Sequence, residues 1–184
     1  MNRESLNVSL RRVMVDDAEM MLRWRSQAST RRFQASPKRT LDEVRDLLSQ
    51  QAAATETSDA MGRLGWIILL NGDAVGHVQL TINPWEREHS VATLGYMVAD
   101  EHQRKGTATA AVRLVSTIGF NTSGLALERI EAVAAVENVA SRRVLEKAGY
   151  TFEGILRGLL RISGRRVDHA CYGLLSTDQE SQEK

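Results

Sequence analysis

A short basic turn that contains one glycine stands between a predicted strand, Val91 to Val98, and a predicted helix, Thr107 to Phe120. The residues of the turn and of the helix start are Gln103, Arg104, Lys105, Gly106, Thr107 and Ala108. The first N–H groups of a helix lack partners inside the helix and carry roughly half a positive charge, so they can bind phosphate groups directly. Gly106 permits a positive φ angle and a close approach of the backbone. We therefore predict a diphosphate site here, although many turns of this composition are only solvated surface.

A second segment, from Asn138 to Tyr150, has the pattern of a short capped helix that leads directly into a strand. Asn138 is a favourable N-cap residue, Ser141 lies in the first helical turn, and Gly149 is a favourable C-cap residue. An ordinary amphipathic helix would have the same features. The presence of both segments in one chain favours a shared functional site over two unrelated elements.

Together the two segments resemble the acetyl-CoA-binding motifs of the GNAT superfamily of N-acetyltransferases. The first reads Q-x-x-G-x-A, and the second, about thirty residues later, reads N-x-x-S-x-x-x-x-E-K-x-G-Y. The segments Phe152 to Arg157 and Gly164 to Leu175 are similar, more narrowly, to the RimJ/RimL type, which includes ribosomal-protein N-terminal acetyltransferases. The resemblance extends from about Gly62 to Leu175. It implies transfer of an acetyl group from acetyl-CoA to a primary amine.

The resemblance also implies where acetyl-CoA lies. In GNAT enzymes it occupies a V-shaped opening between two parallel strands, here Val91 to Val98 and Arg129 to Ala135. Backbone groups near Met97 and Val98 would bond the pantetheine amides, and an N–H there would polarise the thioester carbonyl. No side chain is required for that step.

The rest of the donor would contact the two motifs. The diphosphate would bind the N–H groups from Gln103 to Ala108, and Asn138 would reach the pantetheine arm. Arg142 or Arg143 would approach the adenosine 3′-phosphate, with Arg143 taken as the candidate contact. The resemblance implies no metal ion.

The proton donor for the departing thiolate is predicted from the second motif. Many relatives have a tyrosine just before the Glu-Lys pair, where this chain has Leu145. Ser141 is the nearest hydroxyl on that segment, and we predict it as the catalytic acid, with helix capping as its alternative role.

The general base stays open at the level of sequence. Many RimJ/RimL-type chains have a glutamate on the strand before the basic turn, where this chain has Thr93. The candidates are His77, Glu88, His89 and His169, with a chain of waters as the alternative. An α-amine, with a pKa of about 8, needs less help than a lysine amine at about 10.4, which favours a protein N-terminus as the acceptor.

Composition limits the other possibilities. The 184 residues include 24 basic and 23 acidic side chains, so the net charge of +1 gives no general attraction to nucleic acid or to an anionic membrane. The single cysteine, Cys171, excludes an internal disulfide and fits a reducing compartment. We expect a cytoplasmic monomer or homodimer with one domain over residues 1–176 and a disordered tail over residues 177–184.

Apolar periodicity and capping signals predict the remaining elements. The further strands are Leu6 to Val13, Leu64 to Leu70, Ala74 to Ile82, Tyr150 to Leu156 and Val167 to Leu175. The further helices run from Asp16 or Asp17 to Arg25 and from Thr40 to about Gln51, with Thr30 to Arg39 and Asn83 to Ser90 as loops. This order predicts an α+β, three-layer GNAT fold: a mixed, mostly antiparallel sheet, helices on both faces and a splayed parallel strand pair.

The sequence is compatible with several functions. Besides N-acetylation of a protein N-terminus, the chain could acetylate a small-molecule amine such as an amino sugar, a polyamine or an antibiotic, or it could bind acyl-CoA without catalysis. A nucleotide hydrolase is disfavoured because the glycine spacing of a P-loop is absent, and a purely structural role would not need the second motif. A basic cluster beside Phe33, formed by Arg31, Arg32, Lys38 and Arg39, would suit an acidic acceptor, and a solvated loop is the alternative.

Overall fold

The computed structural model describes residues 7–34 and 37–180. In this part of the chain, seven strands form one sheet in the order β1-β2-β3-β4-β5-β7-β6. The strands are β1 (Val8–Arg12), β2 (Gly62–Leu70), β3 (Asp73–Ile82), β4 (Val91–Val98), β5 (Arg129–Ala135), β6 (Thr151–Ile162) and β7 (Arg165–Leu175). The α-helices are α1 (Ala18–Arg25), α2 (Ala28–Phe33), α3 (Leu41–Ala53), α4 (Pro84–Glu88), α5 (Thr107–Phe120), α6 (Val139–Ala148) and α7 (Ser176–Glu180).

All neighbouring strands are antiparallel except β4 and β5, which are parallel. The β4–β5 pairing ends at Leu94 and Ala132, although β4 stays paired with β3 up to Val98 and β5 stays paired with β7 up to Ala135. The two strands therefore diverge at their carboxyl ends and leave an opening in the sheet. The predicted α+β GNAT fold with one splayed parallel pair is confirmed.

Helices cover the sheet on both faces because successive side chains of a strand point to opposite faces. On β2, Trp66 and Ile68 belong to the core beneath α5 and α6, and Ile67 belongs to the core beneath α1 and α3. We call these the α5 face and the α1 face. The opening between β4 and β5 connects them.

The turn between β2 and β3 and the start of α3 both follow from local sequence signals. Asn71 and Gly72 both have positive φ angles, of 54° and 92°, as a tight turn between β2 and β3 requires. Thr40 accepts a hydrogen bond from the Glu43 N–H at 3.2 Å, and the Glu43 carboxylate accepts one from the Thr40 N–H at 2.7 Å. This capping box fixes the start of α3, as predicted.

Two segments predicted as loops contain short helices. The start of the predicted basic loop lies in α2, whose two ends are held by tertiary contacts: the Gln27 side-chain amide donates to Glu101, and the Gln34 side-chain amide donates to the Tyr96 carbonyl, each at 3.2 Å. The second loop contains α4, which has a proline in its first turn and a Glu86 carboxylate that accepts from the Asn83 N–H. Pro in the first turn and an Asn/Glu capping pair were sequence signals for this helix.

The last strands are longer than predicted, and the tail begins differently. Strand β6 continues to Ile162 through Gly154 and Gly158, whose positive φ angles accompany shifts in its register with β7. Residues 176–180 form α7, which includes the first residues of the predicted tail. Residues 181–184 and the predicted strand start at Leu6 lie outside the described residues.

Candidate active site

A cleft of about 860 Å³ runs through the opening between β4 and β5 and reaches both faces of the sheet. It is lined by most of the predicted donor-binding residues: Met97, Val98, Gln103, Arg104, Gly106, Thr107, Ala108, Asn138 and Arg143. The predicted catalytic residue Ser141 lies in the same lining, whereas Lys105 does not. The two sequence motifs are therefore brought together at one cavity.

The basic turn forms a backbone cradle at the start of α5. Arg104 and Gly106 both adopt left-handed conformations, with φ angles of 62° and 85°. The first helical hydrogen bond runs from the Ala110 N–H to the Gly106 carbonyl at 3.1 Å, so the N–H groups immediately before Ala110 have no carbonyl partner in the helix. The Thr107 hydroxyl is buried and has no hydrogen-bond partner among the described residues. These groups suit an anionic ligand at the helix start.

Gln103 has a structural role that its place in the motif did not reveal. Its side-chain amide donates to the Val98 carbonyl at 3.0 Å and to the Asp100 carboxylate at 3.1 Å. The amide therefore ties the turn to the end of β4 and occupies the Val98 carbonyl.

The edge of β4 offers free N–H groups at the opening. The Ala99 N–H donates to the Val75 carbonyl at 2.9 Å, and the alternation of an antiparallel ladder then directs the backbone of Met97 towards β3. The N–H groups of Tyr96 and Val98 point to the opposite side, where β5 has diverged. The predicted pair of Met97 and Val98 is therefore better described as Tyr96 and Val98. Gln34 occupies the Tyr96 carbonyl at 3.2 Å.

The second motif borders the same opening from α6. Asn138 caps the helix by accepting from the Ser141 N–H at 3.1 Å, as expected for an N-cap. Arg142 turns away from the cleft: its Nε donates to the Tyr172 hydroxyl at 3.1 Å. Arg143 lines the cleft instead. Of the two arginines proposed as contacts for the 3′-phosphate, only Arg143 is therefore positioned in the cleft.

Ser141 forms a hydroxyl pair with Tyr96. The Ser141 Oγ and the Tyr96 Oη are 2.7 Å apart, and the Tyr96 Oη is 3.1 Å from the Ser141 carbonyl. Burial raises the pKa of Tyr96 to about 12, so its hydroxyl stays protonated at neutral pH. A tyrosine therefore supports Ser141 from β4, although the tyrosine expected at position 145 is absent. This pairing could not be predicted from local sequence patterns, because Tyr96 and Ser141 are 45 positions apart in the chain.

The four candidate bases divide into two groups. His77 and His169 line the cleft, and Glu88 and His89 do not. His169 is buried, and its Nδ1 is 2.9 Å from the Val167 carbonyl. Because a carbonyl only accepts, Nδ1 carries the proton and Nε2 keeps a lone pair in the neutral ring.

His77 has a different environment. Burial, assisted by the charges of Arg25 and Arg63, lowers the pKa of His77 to about 3. A general base works best when its pKa is near the working pH, so His77 is a weak candidate. At the Thr93 position, where relatives have a glutamate, the Thr93 hydroxyl donates to Glu86 of α4 at 2.9 Å.

The described residues contain neither a cluster of metal ligands nor a membrane-spanning helix. No group of three or more His, Cys, Asp or Glu side chains in residues 7–34 and 37–180 is arranged to hold a metal ion. Over the same residues, none of the helices has the length and apolar character needed to cross a membrane.

Comparison with known proteins gives the family. The sequence model of the Acetyltransferase (GNAT) domain matches residues 7–151. The chain therefore belongs to the GNAT acetyltransferase family and is an acyltransferase domain, which confirms the resemblance drawn from the two motifs. A stretch of 89 residues is 44% identical to YjcK of Bacillus subtilis (strain 168), described as a probable N-acetyltransferase. That match covers 48% of each protein, so the chain spans about half the length of this relative.

Solved structures agree with this assignment. Mycobacterium smegmatis RimJ in complex with CoA-disulfide has a TM-score of 0.77 at 24% identity, over 96% of this chain and 89% of that chain. Spermidine N-acetyltransferase from Vibrio cholerae in complex with CoA and spermine has a TM-score of 0.79 at 22% identity, over 93% of this chain and 96% of that chain. Both structures share the fold of this chain.

Proposed function

We propose that this protein is an acetyl-CoA-dependent N-acetyltransferase whose acceptor is an α-amine, as at a protein N-terminus. The observation that carries this proposal is the cleft, in which the cradle of α5, the free edge of β4 and the Ser141 hydroxyl line one opening through the sheet. We call the cleft lining on the α5 face the donor side and the lining on the α1 face the acceptor side.

The donor side fits acetyl-CoA, which would supply the activated acetyl group as a thioester. The N–H groups at the start of α5, the buried Thr107 hydroxyl and Arg104 would hold the diphosphate, and Arg143 would be the 3′-phosphate contact. The Tyr96 and Val98 N–H groups would bond the pantetheine arm as an added strand would. One of them would donate to the thioester carbonyl oxygen as negative charge develops on it.

Ser141 would donate its proton to the departing thiolate. The single Tyr96 hydroxyl proton can go to the Ser141 carbonyl at 3.1 Å or to the Ser141 Oγ at 2.7 Å. In the reaction it would go to Oγ, which leaves the serine proton directed at the leaving group. Because the pKa of Tyr96 is raised to about 12, the pair retains its protons throughout the physiological range. The pair would thereby replace the acid that is absent at Leu145.

His169 would accept the proton of the attacking amine. Its Nδ1 is held by the Val167 carbonyl, which leaves Nε2 as the acceptor. An α-amine with a pKa of about 8 is partly neutral at pH 7, so one base, acting directly or through a water, suffices. We expect His169→Asn to lower kcat more than it lowers affinity for acetyl-CoA.

Thiol release from acetyl-CoA tests the proposal. Peptides with free N-termini, polyamines, amino acids and amino sugars are each assayed with the purified protein, and the products are identified by mass spectrometry. Fastest acetylation of a peptide N-terminus supports the proposal. If spermidine or an amino sugar is acetylated fastest, the acceptor is a small-molecule amine and not a protein N-terminus. Acetyl-CoA binding without thiol release would identify a non-catalytic acyl-CoA-binding module.

A further inference from the structure

Three arginines converge at the acceptor side. Arg25 of α1 and Arg63 of β2 line the cleft, and Arg39, just before α3, lies close enough to both to affect them electrostatically. All three are partly buried. Arg39 belongs to the basic cluster predicted from the sequence, whereas Arg25 and Arg63 do not, and the exposed Arg31 and Arg32 of that prediction do not line the cleft.

Within the described residues, no hydrogen bond or ion pair to a carboxylate is recorded for Arg39 or Arg63, and the Nε atom of each is buried without a partner. Burial is the main cause that lowers the pKa of Arg25 and Arg63, and the neighbouring guanidinium groups lower the pKa further. A partly buried guanidinium group without a counterion, as at Arg39 and Arg63, destabilises a fold, whereas a bound anion would offset that cost.

His77 provides a second, independent indication of a ligand. The side chain lies beside the cluster, is 4% exposed and lines the cleft, and its Nε2 has no hydrogen-bond partner among the described residues. The charges of Arg25 and Arg63 both act on it. A polar atom buried at a cavity without a partner is uncommon unless something else completes its bonding.

We propose that the cluster of Arg25, Arg39 and Arg63 binds an anionic group of the acceptor, so that the substrate is an amine that carries a carboxylate. This inference rests on the proposed N-acetyltransferase function and names its substrate class. An acidic peptide N-terminus and a small acidic amine share this chemistry.

The strand register sets the distance between the anion and the amine. Arg63 pairs with Thr81, and Thr81 pairs with Thr93, one residue before the last β4–β5 pair at Leu94. Arg63 is thus two strand spacings, about 10 Å, from the edge of the opening. An extended peptide covers that distance in about three residues. A carboxylate at the second or third residue of a peptide would therefore reach the cluster while the N-terminus enters the opening.

The same charges disfavour a polyamine. A polyamine is cationic at neutral pH, and three guanidinium groups beside the entrance repel it. The fold is shared with a spermidine N-acetyltransferase, and this acceptor side therefore predicts a different substrate for the same fold.

Steady-state kinetics with matched acceptors test the inference. A peptide starting Ser-Asp-Glu is compared with one starting Ser-Asn-Gln, with free glutamate and with spermidine. We expect KM for the acidic peptide to be about tenfold lower than for the neutral one, as for a charge-assisted pair. Arg63→Gln should remove this difference, Arg63→Lys should keep part of it, and Arg31→Gln, which removes the same charge outside the cleft, should leave it unchanged.

Binding of the acidic peptide to the CoA-loaded protein, followed by calorimetry, separates the two proposals. Binding that Arg63→Gln weakens, without thiol release from acetyl-CoA, would overturn the enzymatic function and retain the anion site. Equal KM for the acidic and neutral peptides, or equal effects of the Arg63→Gln and Arg31→Gln variants when both are folded by thermal unfolding, would overturn the anion site and leave the function standing. A lower KM for glutamate than for the peptide would identify a small acidic amine as the source of the carboxylate.

Discussion

The donor and acceptor sides of the cleft are built from different kinds of groups. The donor side consists mainly of backbone N–H groups, positioned by left-handed residues and by the divergence of two strands, with few side chains that must be specific. The acceptor side consists of side chains, including Arg25, Arg63 and His77, that come from separate elements. In our proposal, the backbone groups of the donor side bind acetyl-CoA, the ligand common to the family. The side chains of the acceptor side would determine which amine this protein acetylates.

The largest effect is expected where the backbone cradle is blocked. Gly106→Glu places a side chain and a negative charge at a residue whose φ is 85°, so we expect acetyl-CoA affinity to fall by more than about 100-fold, measured by calorimetry. Gly164→Glu is the matched control, because Gly164 has a φ of 81° in the β6–β7 turn and does not line the cleft. Unchanged affinity in a folded Gly106→Glu protein would remove the phosphate assignment.

The same contrast explains what the sequence could predict. Strands β4 and β5 and helices α5 and α6 were predicted with their observed ends, because each motif is contiguous and its caps, Gly106, Asn138 and Gly149, lie within it. The donor side follows directly from these local signals. That the free N–H group belongs to Tyr96 and not to Met97 could not be predicted, because it depends on which β4 residues form backbone hydrogen bonds with β3.

The acceptor side needed the tertiary structure. Arg25 and Arg63 are 38 positions apart in the chain and come together because α1, α3 and β2 share one core. Helix α2 has no side-chain hydrogen bond at its N-cap and is held by contacts with residues 100 and 101, so its own sequence carries little helical signal. Of the basic residues proposed for the acceptor from the sequence, Arg39 lies near Arg25 and Arg63, and the exposed Arg31 and Arg32 do not line the cleft.

The second prediction concerns the buried histidine of the acceptor side. The pKa of His77 is about 3 in the folded protein and 6.5 as the reference value, so between these values the unfolded chain binds more protons. Stability is therefore retained above pH 6.5 and lost as pH falls towards 3, with a loss of roughly 1.5 kcal/mol in the unfolding free energy from pH 6.5 to 5. Urea unfolding at the two pH values should show this loss, and His77→Gln should reduce it by that amount. The exposed His89, replaced by Gln, provides the control, and an unchanged slope in His77→Gln would contradict the buried neutral state.

Ser141 lies where the two sides meet, and its removal should affect the reaction more than binding. Ser141→Ala should lower kcat by about tenfold or more, near 1.4 kcal/mol, while affinity for acetyl-CoA changes by less than about threefold. The chain offers a matched serine–tyrosine pair away from the cleft: Ser116 and Tyr150, whose hydroxyls are 2.9 Å apart in the core. Ser116→Ala should lower stability and leave kcat per folded molecule unchanged. A kcat within threefold of the wild-type value in Ser141→Ala would leave Ser141 as a structural residue.

The smallest effect is expected from Tyr96→Phe, which removes the β4 hydroxyl that pairs with Ser141 of α6 and keeps the ring. Ser141 would retain its proton but lose the partner that orients it, so we expect kcat to fall by about three- to fivefold, less than 1 kcal/mol, with affinity for acetyl-CoA unchanged. The double variant is the sharper measurement, because Tyr96 acts through Ser141: in a Ser141→Ala background, Tyr96→Phe should cost little more. Tyr150→Phe, which disrupts the core pair, controls for the loss of a buried hydroxyl. Independent, multiplicative losses from Tyr96→Phe and Ser141→Ala would mean that Tyr96 contributes to the reaction by a separate route, and the two hydroxyls would not form one proton-donating unit.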